Sequence, residues 1–274
     1  MPILHAIVLG IVQGLSEFLP ISSSGHLIVV PWLFGWDDFA GDEALKKTFD
    51  VALHIGTLAG LVAYFRRDLW SLTVAGIRRP RSKEGRMAWY VVASAVPAAI
   101  TGALLNDVIE EELGQIWLIG VMLIVFGLVL WWADRRPGGR PADEVTFRDA
   151  MWMGAGQAMA LQPGVSRSGA TMTAGRLVGL DRDGAARVAF LMSVPITAGA
   201  VLYKGYDTFG PDGSGIPPGF GGAFFWGIVA SGITGWFAVW GTLKLLRTQS
   251  FLPFVLYRLV LGAAVLLLLA TSFR

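Results

Sequence analysis

Residues 13–26, with the sequence QGLSEFLPISSSGH, constrain the fold most, because they place polar and chain-breaking residues inside a long apolar stretch. Gln13 and Glu17 are four residues apart and would share one face of a helix. Pro20 makes continuation of that helix unfavourable. The three serines that follow are good helix N-caps, and a new helix would carry His26 in its first turn. The pattern predicts two short helices joined by a polar break.

The composition excludes an ordinary soluble domain. Hydrophobic residues make up 54% and charged residues 15% of the 274-residue chain, and the mean hydropathy is +0.58. In water, that much apolar surface would lack a polar covering. The chain has no cysteine, which excludes disulfides and thiol chemistry, and its net charge of +2 gives no reason to expect a nucleic-acid partner. We predict an all-α polytopic membrane protein.

Two kinds of apolar segment occur along the chain. Six are long enough to span a membrane, near residues 48–65, 87–105, 116–133, 186–203, 223–243 and 252–271. Two others, 2–35 and 150–178, are broken near the middle into pieces shorter than the roughly 20 residues that a span needs. We predict that these two form re-entrant helix hairpins, which enter the membrane and return to the same side.

The two broken segments are copies of one motif. A shift of 144 residues superposes four polar or glycine positions: Gln13 on Gln157, Ser22 on Ser166, Ser24 on Ser168 and Gly25 on Gly169. Each copy is followed by three spans, and an odd number of spans inverts the second unit in the membrane. The sequence therefore predicts one integral membrane domain made of two inverted repeats, residues 1–133 and 134–274.

Lysines and arginines are unequally divided between the two sides of the membrane. Loops on one side hold 15 of them and loops on the other side hold four, and the richest loop is predicted at residues 66–86. The positive-inside rule places that loop in the cytoplasm. The two hairpins would then enter from opposite faces and meet near the midplane.

The tips of the two hairpins, PISSSG and PGVSRSGAT, would together form an anion site. Each helix start offers unpaired N–H groups and about half a positive charge, and Arg167 adds a full charge and a fork suited to phosphate oxygens. Arg258, by contrast, is expected to extend to the basic surface. The predicted substrate-binding residues are Gln13, Ser22, Ser24, Gly25, Ser166, Ser168, Gly169 and Thr171.

Glu17 indicates chemistry beyond anion binding, because a carboxylate repels phosphate. It could act as a general base, orient His26 or hold a divalent cation. Ser23, His26, Glu17 and Arg167 supply the groups that phosphoryl transfer needs. We favour Ser23 as nucleophile and His26 as proton shuttle, with Glu17 orienting His26 or binding metal; attack by His26 or by water is the alternative. His54 is a further ionisable residue at membrane depth, which also indicates function.

A divalent cation is expected from the charges of the predicted site. A diphosphate carries about three negative charges near neutral pH, whereas Arg167 and two helix starts offer roughly two positive ones. Mg²⁺ or Ca²⁺, bound mainly through Glu17 and substrate oxygens, would supply the difference, since hard cations prefer oxygen ligands.

The motifs EFLPISSSGH and LQPGVSRSGAT resemble the two signature regions of the undecaprenyl-diphosphate phosphatase family, also known as the bacitracin-resistance proteins. The resemblance covers essentially the whole chain. It implies a multi-pass hydrolase of the bacterial cytoplasmic (inner) membrane that removes the terminal phosphate of undecaprenyl diphosphate. Such an enzyme recycles the lipid carrier of peptidoglycan synthesis and thereby affects cell wall biogenesis, cell shape and antibiotic resistance.

The family's functional residues carry over by position. Its essential acid falls on Glu17, its catalytic serine on Ser23, its histidine on His26 and its phosphate-binding arginine on Arg167. Many members have a glutamate where this chain has Gln13, so a two-carboxylate metal site is not expected here.

The main alternative is an inverted-repeat transporter or flippase for a phosphate-bearing lipid or anion. A carrier needs only binding groups, whereas hydrolysis also needs an acid or base and a nucleophile, which Glu17, Ser23 and His26 would provide. A lipid-binding scaffold without turnover is a third possibility. The expected partners are a polyprenyl diphosphate and membrane lipids, with a site open to the outer, periplasmic side. A homodimer is compatible with the sequence, which carries no signal for the oligomeric state.

Overall fold

The computed structural model describes residues 1–111, 113–211 and 215–271, and only the backbone of residues 106–111. The end of the predicted second repeat, residues 272–274, lies outside these ranges. The α-helices of the described residues are α1 (Ile3–Phe18), α2 (Ser23–Phe34), α3 (Glu43–Arg78), α4 (Lys83–Ala93), α5 (Ala95–Glu111), α6 (Ile116–Asp134), α7 (Phe147–Met159), α8 (Arg167–Leu177), α9 (Arg182–Phe209), α10 (Gly221–Leu246) and α11 (Leu252–Ala270).

Within those ranges, six helical segments are long and apolar enough to cross a membrane, as predicted. They are Glu43–Arg78, Lys83–Leu105, Ile116–Asp134, Arg182–Phe209, Gly221–Leu246 and Leu252–Ala270. The second comprises α4 and the first part of α5, which are separated at Ser94. Pro97 follows three residues later, where it cannot donate a backbone hydrogen bond.

The prediction of a loop over residues 66–86 is wrong at both ends, because α3 includes its first part and α4 begins at Lys83. Helix α3 continues to Arg78 after a kink at Phe65, whose φ and ψ are −90° and 15°. Only residues 79–82 lie between α3 and α4. Arginine is a good helix former, and its long side chain can extend into the polar region while the backbone stays helical.

Each of the two broken segments forms a short helix, a break and a second short helix, as predicted. In the first segment, α1 ends at Phe18 and Leu19 takes an extended conformation (φ −68°, ψ 139°) before Pro20. This conformation is the one that a residue preceding proline favours. In the second segment, α7 ends at Met159, and α8 begins four residues after Pro163.

The packing of the helices brings the two segments together. Helix α1 packs against α10 and α3, while α7 packs against α5 and α8, and α6 packs against α11. The contact of α1 with α10 is close because a Cβ on Gly10 would lie 2.5 Å from the carbonyl oxygen of Gly227. Gly154 of α7 contacts Ser94 between α4 and α5 in the same way. Helix α8 also contacts α1, α6 and α9, so the second tip lies beside the first.

Candidate active site

The two tips have the same local structure. Ser22 is the N-cap of α2 and its hydroxyl accepts from Gly25 N at 3.3 Å; Ser166 is the N-cap of α8 and accepts from Gly169 N at 3.1 Å. Both serines have positive φ angles, 78° and 75°. A non-glycine residue in such a conformation costs on the order of 1–3 kcal/mol and is typical of functional sites. The internal match between the tips is therefore also a match in backbone geometry.

The structure brings the two tips into contact, as predicted. The Ser22 hydroxyl accepts a hydrogen bond from Gly164 N at 3.1 Å, and Ser168 Oγ donates to the carbonyl oxygen of Leu19 at 3.1 Å. These contacts join residues 142 and 149 positions apart in the sequence. The first residues of α2 and α8 consequently border one site.

Glu17 lies at the centre of this site and is 7% exposed. Its Oε2 accepts from Ser23 Oγ at 2.6 Å and from Gln13 Nε2 at 3.1 Å, and its Oε1 forms an ion pair with Arg167 Nη2. His54 Nε2 is 3.6 Å from Oε2. The predicted acid, serine and arginine therefore meet at one carboxylate. A carboxylate bonded to a serine hydroxyl at this distance can take its proton.

His26 takes a different place from the one expected. Its Nδ1 donates to the carbonyl oxygen of Ser22 at 2.6 Å, and its Nε2 is 2.7 Å from the hydroxyl of Tyr257. Among the described residues, it has no hydrogen bond to Glu17 or Ser23, so Glu17 does not orient it directly. The sequence suggested contact because Ser23 and His26 are one helical turn apart, but the ring turns towards α11 instead.

The expectation that Arg258 extends to the basic surface is wrong. The residue is fully buried, with 0% exposure. Its guanidinium donates to backbone carbonyls of both tips and of α6: Pro20 O, Gly164 O, Val165 O, Met122 O and Leu123 O. Arg258 therefore fixes the two tips relative to α6. Its position inside an apolar span was the signal for such a role, since a buried ionisable residue in a membrane segment usually has one.

Most of the predicted hydroxyl ligands hold the tips in shape. Ser22 and Ser166 cap their helices, Ser168 binds Leu19, and Thr171 Oγ1 donates to the carbonyl oxygen of Arg167 at 2.8 Å. Ser24 is exposed and lies 3.4 Å from Ser22 between their hydroxyl oxygens. Ser23 and Arg167, the first residues of α2 and α8, are the ones that contact Glu17.

The oxygen atoms of Glu17 and Gln13 are suitable ligands for a hard cation. The Oε1 atom of Gln13 is buried and has no hydrogen-bond partner, although the same side chain contacts Glu17 through Nε2. An amide oxygen and a carboxylate oxygen are ligands that Mg²⁺ and Ca²⁺ accept. Over the described parts of the chain, no group of three or more His, Cys, Asp or Glu residues could hold a metal ion. Substrate oxygens would have to complete any coordination shell.

Comparison with known proteins identifies the family of the chain. The sequence model of the family described as bacitracin resistance protein BacA matches residues 6–264. The chain belongs to the BacA family. Its relatives include proteins named undecaprenyl-diphosphatase from Pelotomaculum thermopropionicum (47% identical, covering 98% of each chain), Moorella thermoacetica (46%, 97% of each) and Nocardioides sp. (44%, 98% of this chain and 97% of the relative).

The residues matched by the BacA family model include both tips and Glu17. His54, Tyr257 and Arg258, which contact this site from α3 and α11, also lie within the matched residues.

Proposed function

We propose that the protein is a membrane phosphatase that hydrolyses undecaprenyl diphosphate to undecaprenyl phosphate and inorganic phosphate. It thereby recycles the lipid carrier used in bacterial cell wall synthesis. The observation that carries the proposal is the hydrogen bond from Ser23 Oγ to Glu17 Oε2 at 2.6 Å, with Arg167 bound to the other oxygen of the same carboxylate. The identity of the substrate is inferred from the full-length relatives named undecaprenyl-diphosphatase.

In the first half of the reaction, Ser23 attacks the terminal phosphorus. Glu17 takes the proton of the hydroxyl, and the bond from phosphorus to the bridging oxygen breaks with its electron pair on undecaprenyl phosphate. Arg167 turns from Glu17 to the phosphate oxygens, where its fork compensates their charge. The product on the protein is phosphoserine. In the second half, water attacks this phosphorus and Ser23 recovers its proton.

A transporter is the second candidate, and the broken helices favour it. Binding alone does not explain why a serine hydroxyl is bonded to a mostly buried carboxylate, since a carrier for an anion gains nothing from a negative charge beside its ligand. Hydrolysis uses that carboxylate as a base. The contact between Ser23 and Glu17 therefore favours the phosphatase.

We also propose a divalent cation, Mg²⁺ or Ca²⁺, held by Glu17 and by substrate oxygens. Support comes from the charge of the substrate and from the unpaired Oε1 of Gln13 beside Glu17. Such an ion would compensate the negative charge of the diphosphate. Glu17, Ser23 and Arg167 perform the proton transfer and the anion binding described above.

We propose that the chain forms two inverted repeats, residues 1–133 and 134–274. The hairpins 2–35 and 150–178 would enter the inner membrane from opposite sides. Equivalent contacts support it: α1 packs on α10 of the other repeat, and α7 packs on α5 of the other repeat. The active site would open to the outer side. We also expect a homodimer, which light scattering in detergent would test.

The test uses undecaprenyl diphosphate labelled in the terminal phosphate, with purified full-length protein in detergent. We expect phosphate release by the wild type and almost none by Ser23→Ala. Ser71→Ala, which changes an exposed serine of α3, is the matched control and should keep wild-type turnover. Binding of the lipid by folded wild-type protein without any phosphate release would contradict the proposal and favour a carrier.

A further inference from the structure

His26 is a buried histidine with both ring nitrogens engaged. It is 7% exposed, and its Nδ1 and Nε2 contact Ser22 O and the Tyr257 hydroxyl. A neutral imidazole carries one hydrogen, and the carbonyl of Ser22 requires that hydrogen on Nδ1. Nε2 is then the acceptor, so Tyr257 donates to it. The two rings also stack, with centroids 5.6 Å apart and 9° between their planes.

Tyr257 is much more accessible than His26, since it is 44% exposed on α11. Within the described residues, its hydroxyl is the hydrogen-bond partner of His26 Nε2. A proton that enters or leaves Nε2 therefore passes through this hydroxyl. The other ionisable groups nearby are engaged elsewhere: Arg258 donates to backbone carbonyls, Glu17 accepts from Ser23, and His54 lies against Glu17, with Nε2 3.6 Å from Oε2.

We propose that Tyr257 is a catalytic proton relay in the second half of the reaction, in which its hydroxyl passes a proton from water to His26. The inference rests on the proposed function. In an in-line displacement, water approaches from the side that undecaprenyl phosphate has left, opposite Ser23. Glu17 accepts a hydrogen bond from Ser23 and therefore takes and returns the proton of the serine oxygen. The water then needs a second base, and His26 with Tyr257 is the remaining candidate pair at the first tip.

In the second half, a bond forms between the water oxygen and phosphorus, and the bond from phosphorus to Ser23 Oγ breaks with its electron pair on Oγ. Glu17 returns to Oγ the proton that it took in the first half. One water proton passes to the Tyr257 oxygen while the proton of that hydroxyl passes to His26 Nε2. The imidazolium later loses it to solvent by the reverse route, so each turnover consumes one water and releases phosphate and one proton.

The experiment compares Tyr257→Phe, which keeps the stacked ring and removes only the hydroxyl, with Tyr206→Phe, a matched change at a residue 73% exposed. Quenched reactions with substrate labelled in the terminal phosphate report both turnover and labelled Ser23. For Tyr257→Phe we expect kcat to fall by about 10- to 100-fold. This fall should be smaller than the fall caused by losing a general base, because His26 is still present. KM should change less than about twofold, and labelled phosphoserine should accumulate to near one per protein.

Two outcomes would overturn the inference: a kcat of Tyr257→Phe equal to that of Tyr206→Phe, or a loss of turnover without accumulated phosphoserine. A second variant, Tyr257→Leu, also removes the ring. If Tyr257→Phe matches the wild type and only Tyr257→Leu is impaired, the role is stacking and the inference fails. Failure of the proposed function is distinguishable, because it would appear in the wild type as an absence of phosphate release.

Discussion

Arg167→Ala tests the two-tip site most directly, because it removes the charge that the second tip contributes and leaves the first tip unchanged. In the structure the guanidinium pairs with Glu17, and the side chains of the two residues are 21% and 5% exposed. A pair this well buried is screened little by water and salt. In the proposed reaction the same guanidinium binds the diphosphate through two parallel hydrogen bonds.

The magnitude follows from those two bonds. Each hydrogen bond to a charged group contributes about 1.5–3 kcal/mol, so the loss of two costs about 3–6 kcal/mol. At about 1.4 kcal/mol for each factor of ten, kcat/KM of Arg167→Ala should fall by about 10²- to 10⁴-fold. Arg167→Lys keeps the charge but loses the planar fork, and should recover only part of this loss.

The assay is steady-state phosphate release from undecaprenyl diphosphate in detergent, with a melting curve to show that each variant is folded. Arg247→Ala is the matched control, because it removes an arginine that is bonded to Asp183 away from the tips and has a side chain 59% exposed. Its kcat/KM should stay within about twofold of the wild type, as is usual for exposed pairs. A value for Arg167→Ala within about threefold of the wild type would refute the proposed anion site.

Four further predictions concern topology, metal, stability and pH. A membrane-impermeant thiol reagent should label a cysteine introduced at Pro218 in intact cells, and should label one at Arg81 only after the membrane is opened; the reverse pattern would contradict the orientation. Excess chelator should abolish phosphate release and added Mg²⁺ or Ca²⁺ should restore it, whereas unchanged activity would exclude the cation. Arg258→Met leaves buried carbonyls unpaired, at about 1–3 kcal/mol each, and a loss near 3 kcal/mol should lower the melting temperature by roughly 6–12 °C; an unchanged melting temperature would count against its role between the tips. Burial raises the pKa of Asp149, but hydrogen bonds from Arg140 and Thr146 lower it more, so that the pKa lies below its ordinary value. The stability that Asp149 contributes is therefore present above about pH 4 and lost as the pH falls through the lowered pKa, and Asp149→Asn should remove this acid-side loss in melting curves measured from pH 6 to pH 3.

The sequence predicted the helical class, the six spans and both helix breaks, because these depend on local signals. Apolar length identifies spans, and proline followed by serines identifies a break with a new helix start. The contact between the tips was also predicted, from two hairpins that enter from opposite faces and meet near the midplane. Re-entry of the hairpins, the inversion of the repeats and the roles of Glu17, Ser23, His26 and Arg167 stay predictions.

What the sequence could not predict depends on side-chain direction and on distant partners. The serine and the acid were named as parts of one site, but only the fold shows that Ser23 donates to Glu17 while His26 turns to Tyr257. Residues 231 positions apart form the second of these contacts, and no local pattern indicates it. Arg258 was misjudged for a related reason: its distance from the basic surface suggested extension, whereas five carbonyls around the tips hold it inside.

The matched N-caps Ser22 and Ser166 have a consequence for how the two halves of the chain can diverge. The residue after each cap enters the same site, and it is Ser23 in one half and Arg167 in the other. Two identical halves would offer either a pair of hydroxyls without a guanidinium or a pair of guanidiniums without a nucleophile. The proposed reaction therefore requires the halves to be unlike at this one position, and we expect any exchange that restores their symmetry there to abolish catalysis.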